Sequence, residues 1–298
     1  MPGAIEVGDL HKSYGDVDAV RGISFTVDFG EIVAVLGPNG AGKTTTIEML
    51  EGFREPTSGR LRVLGTDPAT GGGAFRARIG IVLQQCGIDP YLSVVEVLRM
   101  HASYYPRPRS VDETIELIGL GEKRDARVKT LSGGQQRRLD VGLGIIGDPE
   151  LLFLDEPTTG FDPSARRQAW EVVQRLRGLG KTVLLTTHYM EEAQALADRL
   201  VVIAAGRIIA QGSPDDIGGR AEARSTIRFP WPPGRALKDL PVSATRDGVN
   251  AVIETGAVTS TLRSLTNWAV SQGVDLDALT VTRPSLEDVY LDLVGGRS

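Results

Sequence analysis

The sequence predicts an α/β fold followed by a smaller α+β domain, and three observations lead to this prediction. Up to about residue 220, short β-branched runs alternate with helical patterns, which is typical of a sheet with crossover helices. Past residue 217 this alternation gives way to a glycine-containing linker and then to closely spaced short strands. The length of 298 residues also suits two domains, at about 150 residues each. We therefore expect domains at 1–220 and 221–298.

Apolar runs of strand length mark the elements of the first domain. Residues 23–29 alternate apolar and polar side chains, which predicts a strand with one buried face. Nearly continuous apolar runs, typical of strands covered on both faces, occur at 31–36, 79–83, 151–154, 182–186 and 200–204. Helical patterns lie between them at 45–51, 94–104, 135–146, 165–179 and 190–197.

The second domain follows the linker at 218–224. Predicted strands lie at 225–229, 242–246, 249–254 and 278–282, and predicted helices at 235–240, 257–271 and 285–293. The first six of these elements have the order βαββαβ, which is that of a ferredoxin-like domain. A unit of about 75 residues is marginally stable alone. We therefore expect it to dock on the first domain or on a partner.

The composition is that of a globular protein and limits the classes of function. With 33 Lys and Arg against 38 Asp and Glu, the net charge of −5 argues against nucleic-acid binding through a basic domain. The single cysteine, Cys86, permits no internal disulfide and no cysteine-based zinc site, so we expect a reducing compartment. No apolar run approaches the ~18 residues of a membrane span, and we find no signal-peptide pattern. These observations predict a cytoplasmic protein.

A glycine-rich motif directly after the run at 31–36 predicts a phosphate-binding loop. The motif G-x-x-x-x-G-K-[ST] and the residue after it comprise Gly37, Pro38, Asn39, Gly40, Ala41, Gly42, Lys43, Thr44 and Thr45. In this pattern the backbone N–H groups and the next helix N-terminus bind phosphate. Lys43 reaches the β- and γ-phosphates, and the Thr44 hydroxyl binds Mg²⁺. The alternative is a glycine-rich turn that binds nothing.

Two carboxylates end the apolar run at 151–154. Asp155 is a candidate for holding Mg²⁺ through its water shell, and Glu156 is a candidate base that polarises the attacking water. Taken alone, such a pair would be better explained by a helix cap or a turn. Together with the phosphate-binding loop, it predicts a site of nucleotide hydrolysis.

A third motif, Leu131-Ser132-Gly133-Gly134-Gln135, begins about 20 positions before the run at 151–154. Ser132 and Gln135 also match a capping box that opens the next helix. The two interpretations are compatible, because a helix N-terminus favours phosphate. Over about residues 4–217, the order of the three motifs resembles the ATP-binding cassette, and the chain looks like the ATPase subunit of an ABC transporter.

This resemblance implies a fold, two ligands and an assembly. The fold is a P-loop NTPase cassette with a mixed sheet core, an antiparallel β subdomain and a helical signature subdomain. The ligands are ATP and Mg²⁺. In the family, residues at the positions of Ser132, Gly133, Gly134 and Gln135 complete the ATP site of the opposite subunit. One cassette per chain therefore implies a two-fold dimer around two nucleotides.

The resemblance also implies roles for four more residues. Tyr14 resembles the aromatic that stacks on adenine, although a core aromatic at a strand end is the alternative from the residue alone. Gln84 resembles the glutamine that links the magnesium site to the membrane partner, with Gln85 beside it. Asp162 resembles the aspartate of the loop that crosses the dimer interface. His188 resembles the switch histidine near the γ-phosphate.

A narrower resemblance lies downstream. Residues 188–193, 197–199 and 206–212, and the motif P-S-L-E-D-V-Y at 284–290, resemble the daunorubicin-resistance type of exporter ATPases. In that group, a short C-terminal domain ends in a similar helix. The apolar face of Leu286, Val289, Tyr290 and Leu293 leaves open the alternative that this helix docks on its own domain.

These resemblances imply an ATPase that drives export through a separate integral-membrane permease and is held by it at the inner face of the cell membrane. The second domain would be accessory or regulatory. An importer subunit is an alternative, disfavoured by the narrower resemblance. A soluble ABC-type clamp on ribosomes or DNA is another. The single cassette, the lack of a long coiled-coil insertion and the net charge disfavour it, and we expect no nucleic-acid partner.

Overall fold

The computed structural model describes residues 3–82, 87–231 and 236–295, apart from the side chain of Ala221. Contacts between Cα atoms divide the chain into two units, Met1–Pro214 and Asp215–Ser298. The division falls shortly before residue 220, because the 3₁₀ turn Ile217–Glu222 packs on the last helix of the second unit. None of the helices in the described ranges is long and apolar enough to cross a bilayer.

Strands and helices alternate through much of the first unit, as predicted, but the unit begins with three strands and also contains three successive α-helices. Its strands are β1 (Ile5–Tyr14), β2 (Val17–Val27), β3 (Ile32–Leu36), β4 (Ser58–Val63), β5 (Ile79–Val82), β6 (Leu151–Asp155), β7 (Thr182–Thr186), β8 (Arg199–Ala204) and β9 (Arg207–Gly212). Its helices are α1 (Lys43–Leu50), α2 (Gly72–Arg76), α3 (Val94–Ala102), α4 (Val111–Leu117), α5 (Gly133–Ile145), α6 (Pro163–Gly178) and α7 (Met190–Leu196).

The central sheet of this unit has the strand order β5-β6-β7-β3-β8-β9. The first five of these strands are parallel, and β9 pairs antiparallel with β8. Both β3 and β7 are buried along their whole length, as continuous apolar runs predict. A second, antiparallel sheet has the order β2-β1-β4. The predicted mixed core and antiparallel subdomain are therefore confirmed.

The first unit is held together by an apolar cluster and by a group of three packed helices. One apolar cluster joins the two sheets and α1, and includes Phe25, Met49 and Phe153. Helices α3, α4 and α5 pack on one another as a helical subdomain. The motif Ser132–Gln135 lies where α5 begins.

For one strand of the first unit, the predicted C-terminal end is wrong. The strand predicted at 23–29 stops at Val27, and Phe29 is 57% exposed instead of facing the core. The chain turns here, because the Glu31 amide donates to the Asp28 carbonyl and Gly30 takes a φ of +76°. Glycine adopts this left-handed conformation without steric cost.

In the second unit the strands and the two later helices follow the predicted ferredoxin-like order, but a 3₁₀ turn takes the place of the first helix. Its strands are β10 (Ser225–Pro230), β11 (Thr245–Asp247), β12 (Asn250–Thr255) and β13 (Thr280–Thr282), and its helices are α8 (Val258–Gln272) and α9 (Leu286–Gly295). They form one antiparallel sheet in the order β11-β12-β10-β13. Of the predicted helix at 235–240, the described residues show only a 3₁₀ turn, Leu237–Asp239.

Helix α9 docks on the 3₁₀ turn Ile217–Glu222 within the second unit. Leu286 and Val289 are buried, as the apolar face predicts. Gly218 has a φ of +62°, and a Cβ there would lie 2.5 Å from the Val289 Cγ1. The close approach of this helix therefore depends on glycine.

Glu51, at the C-terminal end of α1, is a buried carboxyl group whose effect on the free energy of unfolding depends on pH. It is only 7% exposed, and burial raises its pKa from 4.5 to about 8, with Asp155 and Glu48 acting in the same direction. Between these two values the folded chain keeps a proton that the unfolded chain releases. The free energy of unfolding therefore falls as the pH rises through this window. We expect the stability of Glu51→Gln relative to wild type to rise by up to about 5 kcal/mol between pH 4 and pH 9, because glutamine has no proton to lose.

Urea unfolding of both proteins from pH 4 to pH 9 measures this difference. The advantage of Glu51→Gln should grow across the window, whereas the exposed Glu55→Gln should follow wild type throughout. Parallel pH profiles for wild type and Glu51→Gln would contradict the raised pKa.

Candidate functional site

The glycine-rich loop lies between β3 and α1 in a conformation that requires its glycines. Gly40 and Gly42 have φ angles of +78° and +102°, which side chains rarely adopt. A Cβ at Gly42 would lie 2.4 Å from the Ala19 carbonyl oxygen, so any side chain there would collide with β2. Because α1 begins at Lys43, its first N–H groups have no partner within the helix and are available at this loop.

Lys43 is the buried cation of this loop and is only 8% exposed. Its ammonium donates to the carbonyl oxygens of Gly37, at 2.7 Å, and Pro38, at 3.1 Å. Burial lowers the pKa of Lys43, while the charges of Glu156 and Asp155 oppose that effect. The ammonium can exchange these carbonyls for phosphate oxygens, which form stronger, charge-assisted hydrogen bonds.

Thr186, at the end of β7, fixes the two carboxylate residues at the end of β6. Its hydroxyl lies 2.5 Å from the Asp155 Oδ1 and donates to it. The Glu156 amide in turn donates to the Thr186 hydroxyl, at 3.0 Å, and to its carbonyl, at 3.2 Å. Sequence analysis missed Thr186, although its position at the end of a strand next to β6 was a usable signal.

Glu156 has an unusual backbone and lies beside His188. Its φ is +44°, a conformation that costs a non-glycine residue about 1–3 kcal/mol. The carboxylate accepts from the Thr159 hydroxyl at 3.0 Å, and its other oxygen lies 3.3 Å from the His188 Nδ1. The His188 ring packs on Tyr189 at a centroid distance of 4.1 Å. The candidate base and the candidate switch histidine are therefore adjacent.

One cleft joins the loop to the carboxylates. It is lined by Ala19, Asn39, Gly40, Ala41, Gly42, Lys43, Thr44, Thr45, Asp155 and Glu156. Pro38, Asn39, Gly40 and Thr44 are exposed, so their polar groups are open to a ligand. Parallel β3, β6 and β7 bring these residues together, because their carboxyl ends lie at one edge of the sheet.

Tyr14 ends β1 and is 41% exposed, so it is not a core aromatic. The Lys12 ammonium and the Arg54 guanidinium lie 5.1 Å and 5.5 Å from its ring centre. Tyr14 pairs with Val17 on β2, two residues before Ala19 of the cleft. The strand pairing therefore places this aromatic on the hairpin that borders the phosphate-binding loop.

Ser132, Gly133, Gly134 and Gln135 lie in a separate cavity from the loop of the same chain. The predicted capping box is present, since the Ser132 amide donates to the Gln135 Oε1 at 3.0 Å and the Gln135 amide to the Ser132 Oγ at 3.3 Å. Asp162 lines this second cavity and caps α6 by accepting from the amides of Ser164 and Ala165. Gln84, Gln85 and Cys86 lie outside the described residues.

Two buried charged groups near the carboxylates were not predicted. Arg137, on α5, is 6% exposed and donates to the carbonyl oxygens of Asp155 and Pro157. Glu192, on α7, has no exposed surface, and its Oε1 accepts from the Thr158 hydroxyl at 2.8 Å and from the Trp170 Nε1 at 3.0 Å. Glu192 thus links α7, α6 and the segment after Glu156. In the sequence, Ala193 and Leu196 could have indicated this burial, because they form the apolar face of the helix that also carries Glu192.

Two family models match the chain. The ABC transporter family matches residues 20–159, which include the phosphate-binding loop and both carboxylates. A family described as the C-terminal domain of ABC transporter domain-containing proteins matches residues 225–285.

Relatives and solved structures extend this similarity. The daunorubicin resistance ATP-binding protein DrrA3 of Streptomyces coeruleorubidus is 37% identical over 98% of this chain and 96% of its own length. The Nod factor export ATP-binding protein I of Paraburkholderia xenovorans is 40% identical over 98% and 97%. The cbiO1 structure from Clostridium perfringens, part of the ABC transporter complex cbiONQ, is 29% identical over 72% and 90%, with a TM-score of 0.65. The structure of an ATP-binding subunit of an ABC transporter is 28% identical over 72% and 91%, with a TM-score of 0.63.

The Glu192 network can be tested by a double-mutant cycle. Thr158→Val removes a hydroxyl that donates to a fully buried carboxylate, so we expect a loss of about 1–3 kcal/mol in the free energy of unfolding. In a Glu192→Leu background the hydroxyl has no carboxylate to bind, and the same substitution should cost far less. Urea unfolding of the four proteins gives the coupling energy. Equal costs in the two backgrounds would show that the hydrogen bond contributes nothing.

Proposed function

The chain belongs to the ATP-binding proteins of ABC transporters, and we propose that it is the ATPase subunit of an exporter acting through a separate membrane permease. Two relatives that match it over nearly their whole length are named for daunorubicin resistance and for Nod factor export. The observation that carries the enzymatic part is the single cleft in which Lys43, Asp155 and Glu156 meet. Such a subunit would sit at the inner face of the membrane, held by its permease.

The cleft fits a nucleoside triphosphate with its metal ion. The N–H groups of the Gly37–Thr45 segment and the Lys43 ammonium bind the phosphates. The Thr44 hydroxyl and the Asp155 carboxylate line the same cleft and offer the oxygen ligands that Mg²⁺ prefers. The family resemblance adds Gln84, which lies outside the described residues, as a further ligand. Bound there, Mg²⁺ would neutralise the charge on the phosphates during transfer. Tyr14, exposed on the neighbouring hairpin, stacks on the adenine.

Hydrolysis then depends on two side chains at the edge of the cleft. Glu156 accepts a hydrogen bond from the attacking water and polarises it towards the γ-phosphate. His188, 3.3 Å from the Glu156 carboxylate, is close enough to orient it and to contact the same phosphate. The Lys43 ammonium supplies positive charge for the transferred group. Phosphoryl transfer requires mainly this positioning and charge neutralisation.

The proposed dimer places Ser132, Gly133, Gly134 and Gln135 on the nucleotide of the other chain. Ser132 and Gly133 are exposed where α5 begins, and the N–H groups of this helix end favour a phosphate. They line a cavity separate from their own phosphate-binding loop, which is what a site shared between two chains requires. Asp162, in the same cavity, lies at the proposed interface. ATP binding would close the dimer, hydrolysis would reopen it, and the permease would follow. The second unit would be accessory or regulatory.

The role of Glu156 is tested by Glu156→Gln. We expect turnover to fall by about 10²–10⁴-fold, because the amide cannot accept the proton of the water. ATP affinity should stay within about threefold of wild type. Phosphate release under saturating ATP and equilibrium binding of a fluorescent ATP analogue measure the two quantities. Glu150→Gln, a carboxylate next to the other end of β6, is the matched control and should hydrolyse normally. Unimpaired hydrolysis by Glu156→Gln would remove Glu156 as the base.

The dimer is tested by cross-linking two different chains. Asn39→Cys and Ser132→Cys are made separately in a Cys86→Ser background, so that every cross-link between them joins two chains. Both positions are exposed, and we expect the mixture to cross-link with Mg²⁺ and ATP and much less without nucleotide. Asn39→Cys mixed with Gln174→Cys, an exposed position on α6, should stay monomeric under denaturing electrophoresis. If both mixtures behave alike, the proposed arrangement is wrong.

A further inference from the structure

Arg137 binds the backbone on both sides of Glu156. Its Nη2 donates to the Asp155 carbonyl at 3.0 Å, and its Nε donates to the Pro157 carbonyl at 3.1 Å. The guanidinium is buried, with the Asp140 carboxylate 3.6 Å away on the same helix. Because the planar fork of arginine offers donors at fixed spacing, one side chain can hold both carbonyls.

The backbone between these two carbonyls requires such support. Glu156 has a φ of +44°, and a non-glycine residue keeps this conformation only when its surroundings impose it. Thr186 accepts the Glu156 N–H, and the Thr159 amide donates to the Glu156 carbonyl at 3.3 Å. Together with the two bonds from Arg137, these contacts fix the peptide groups before and after Glu156.

We propose that Arg137 is the positioning residue that aims the Glu156 carboxylate at the attacking water, by holding the carbonyls of Asp155 and Pro157. This inference rests on the role proposed for Glu156. In this arrangement Arg137 uses its Nε and Nη2 donors on backbone carbonyls. It acts on the reaction only through the direction of the Glu156 side chain, which the backbone conformation sets.

The position of Arg137 in α5 gives this contact a second consequence. Arg137 follows Ser132 by five residues, on the helix whose first turn is proposed to bind the nucleotide of the other chain. A shift of α5 when that nucleotide binds or leaves would therefore move the donors that hold the Asp155 and Pro157 carbonyls. In this way the base of one site would respond directly to the occupancy of the other.

Arg137→Lys tests the proposal, because lysine keeps the charge but lacks the rigid fork. We expect kcat to fall by about 10- to 100-fold, as a displaced catalytic group produces, while ATP affinity changes less than about twofold. The matched control is Arg78→Lys, just before β5, whose Nη1 also donates to a backbone carbonyl, that of Leu64 at 3.0 Å. It should retain kcat within about threefold. A parallel loss of ATP affinity and kcat in Arg137→Lys would indicate general damage and would overturn the proposal.

Combining Arg137→Lys with Glu156→Gln distinguishes a positioning residue from a purely structural one. If Arg137 acts through Glu156, Arg137→Lys should cause no further loss of the residual turnover in a Glu156→Gln background. A full additional loss would overturn the proposal, and so would normal turnover in Arg137→Lys alone. Neither result would affect the proposed ATPase site, which fails only if the wild-type chain does not hydrolyse ATP or if Glu156→Gln hydrolyses it normally.

Discussion

Parallel pairing of β6, β7 and β3 is the constraint on which the candidate site depends. Their register places Asp155 opposite Thr186, and Thr186 opposite Val35, so the segments that follow the three strands begin side by side. The interiors of these strands are almost entirely apolar and buried, which fixes their order and depth in the unit. Chemistry can therefore be concentrated at the ends of the strands, where polar groups emerge from the core.

The buried charges around these ends follow a consistent physical rule. Burying an ionised group is expensive unless it has good hydrogen-bond partners. Lys43 and Arg137 meet this requirement with backbone carbonyls. Glu192 meets it at its Oε1, which accepts from a hydroxyl and an indole N–H, while its buried Oε2 has no hydrogen-bond partner among the described residues. The Lys43 bonds lie within the phosphate-binding loop. The bonds of Arg137 and Glu192 join different segments and therefore also fix the relative positions of those segments.

The sequence predicts the parts of this site that depend on local patterns. The phosphate-binding loop, the capping box at Ser132 and the buried strands each have a short signature, because backbone dihedrals, helix ends and two-sided burial depend on adjacent residues. Strands β1 and β4 were not predicted from the pattern of their residues, since polar side chains interrupt them and β4 buries little beyond Val63. The resemblance alone implied an antiparallel subdomain.

Long-range contacts account for what the sequence could not predict. A charged residue such as Arg137 or Glu192 within a helix usually lies on a solvated face, and only the packing of α5 and α7 buries these two. The left-handed backbone of Glu156 is likewise invisible in the sequence, because it depends on Thr186 and Arg137 from distant segments. The length of β2 was also misjudged, since the alternation continues to Phe29 past the turn that ends the strand.

The position of Ser132–Gln135 away from the phosphate-binding loop of the same chain has a physical consequence for the proposed dimer. The Asp155 and Glu156 carboxylates line an open cleft, where water screens their charges, while the Lys43 ammonium in the same cleft is already buried. Covering the nucleotide with the first turn of α5 from a second chain would exclude this water and strengthen each electrostatic contact. The helix that covers one nucleotide also holds, through Arg137, the base of the other site. Closing the dimer would thus change the electrostatics of both sites and the backbone support of both bases together, because one rigid helix in each chain takes part in both.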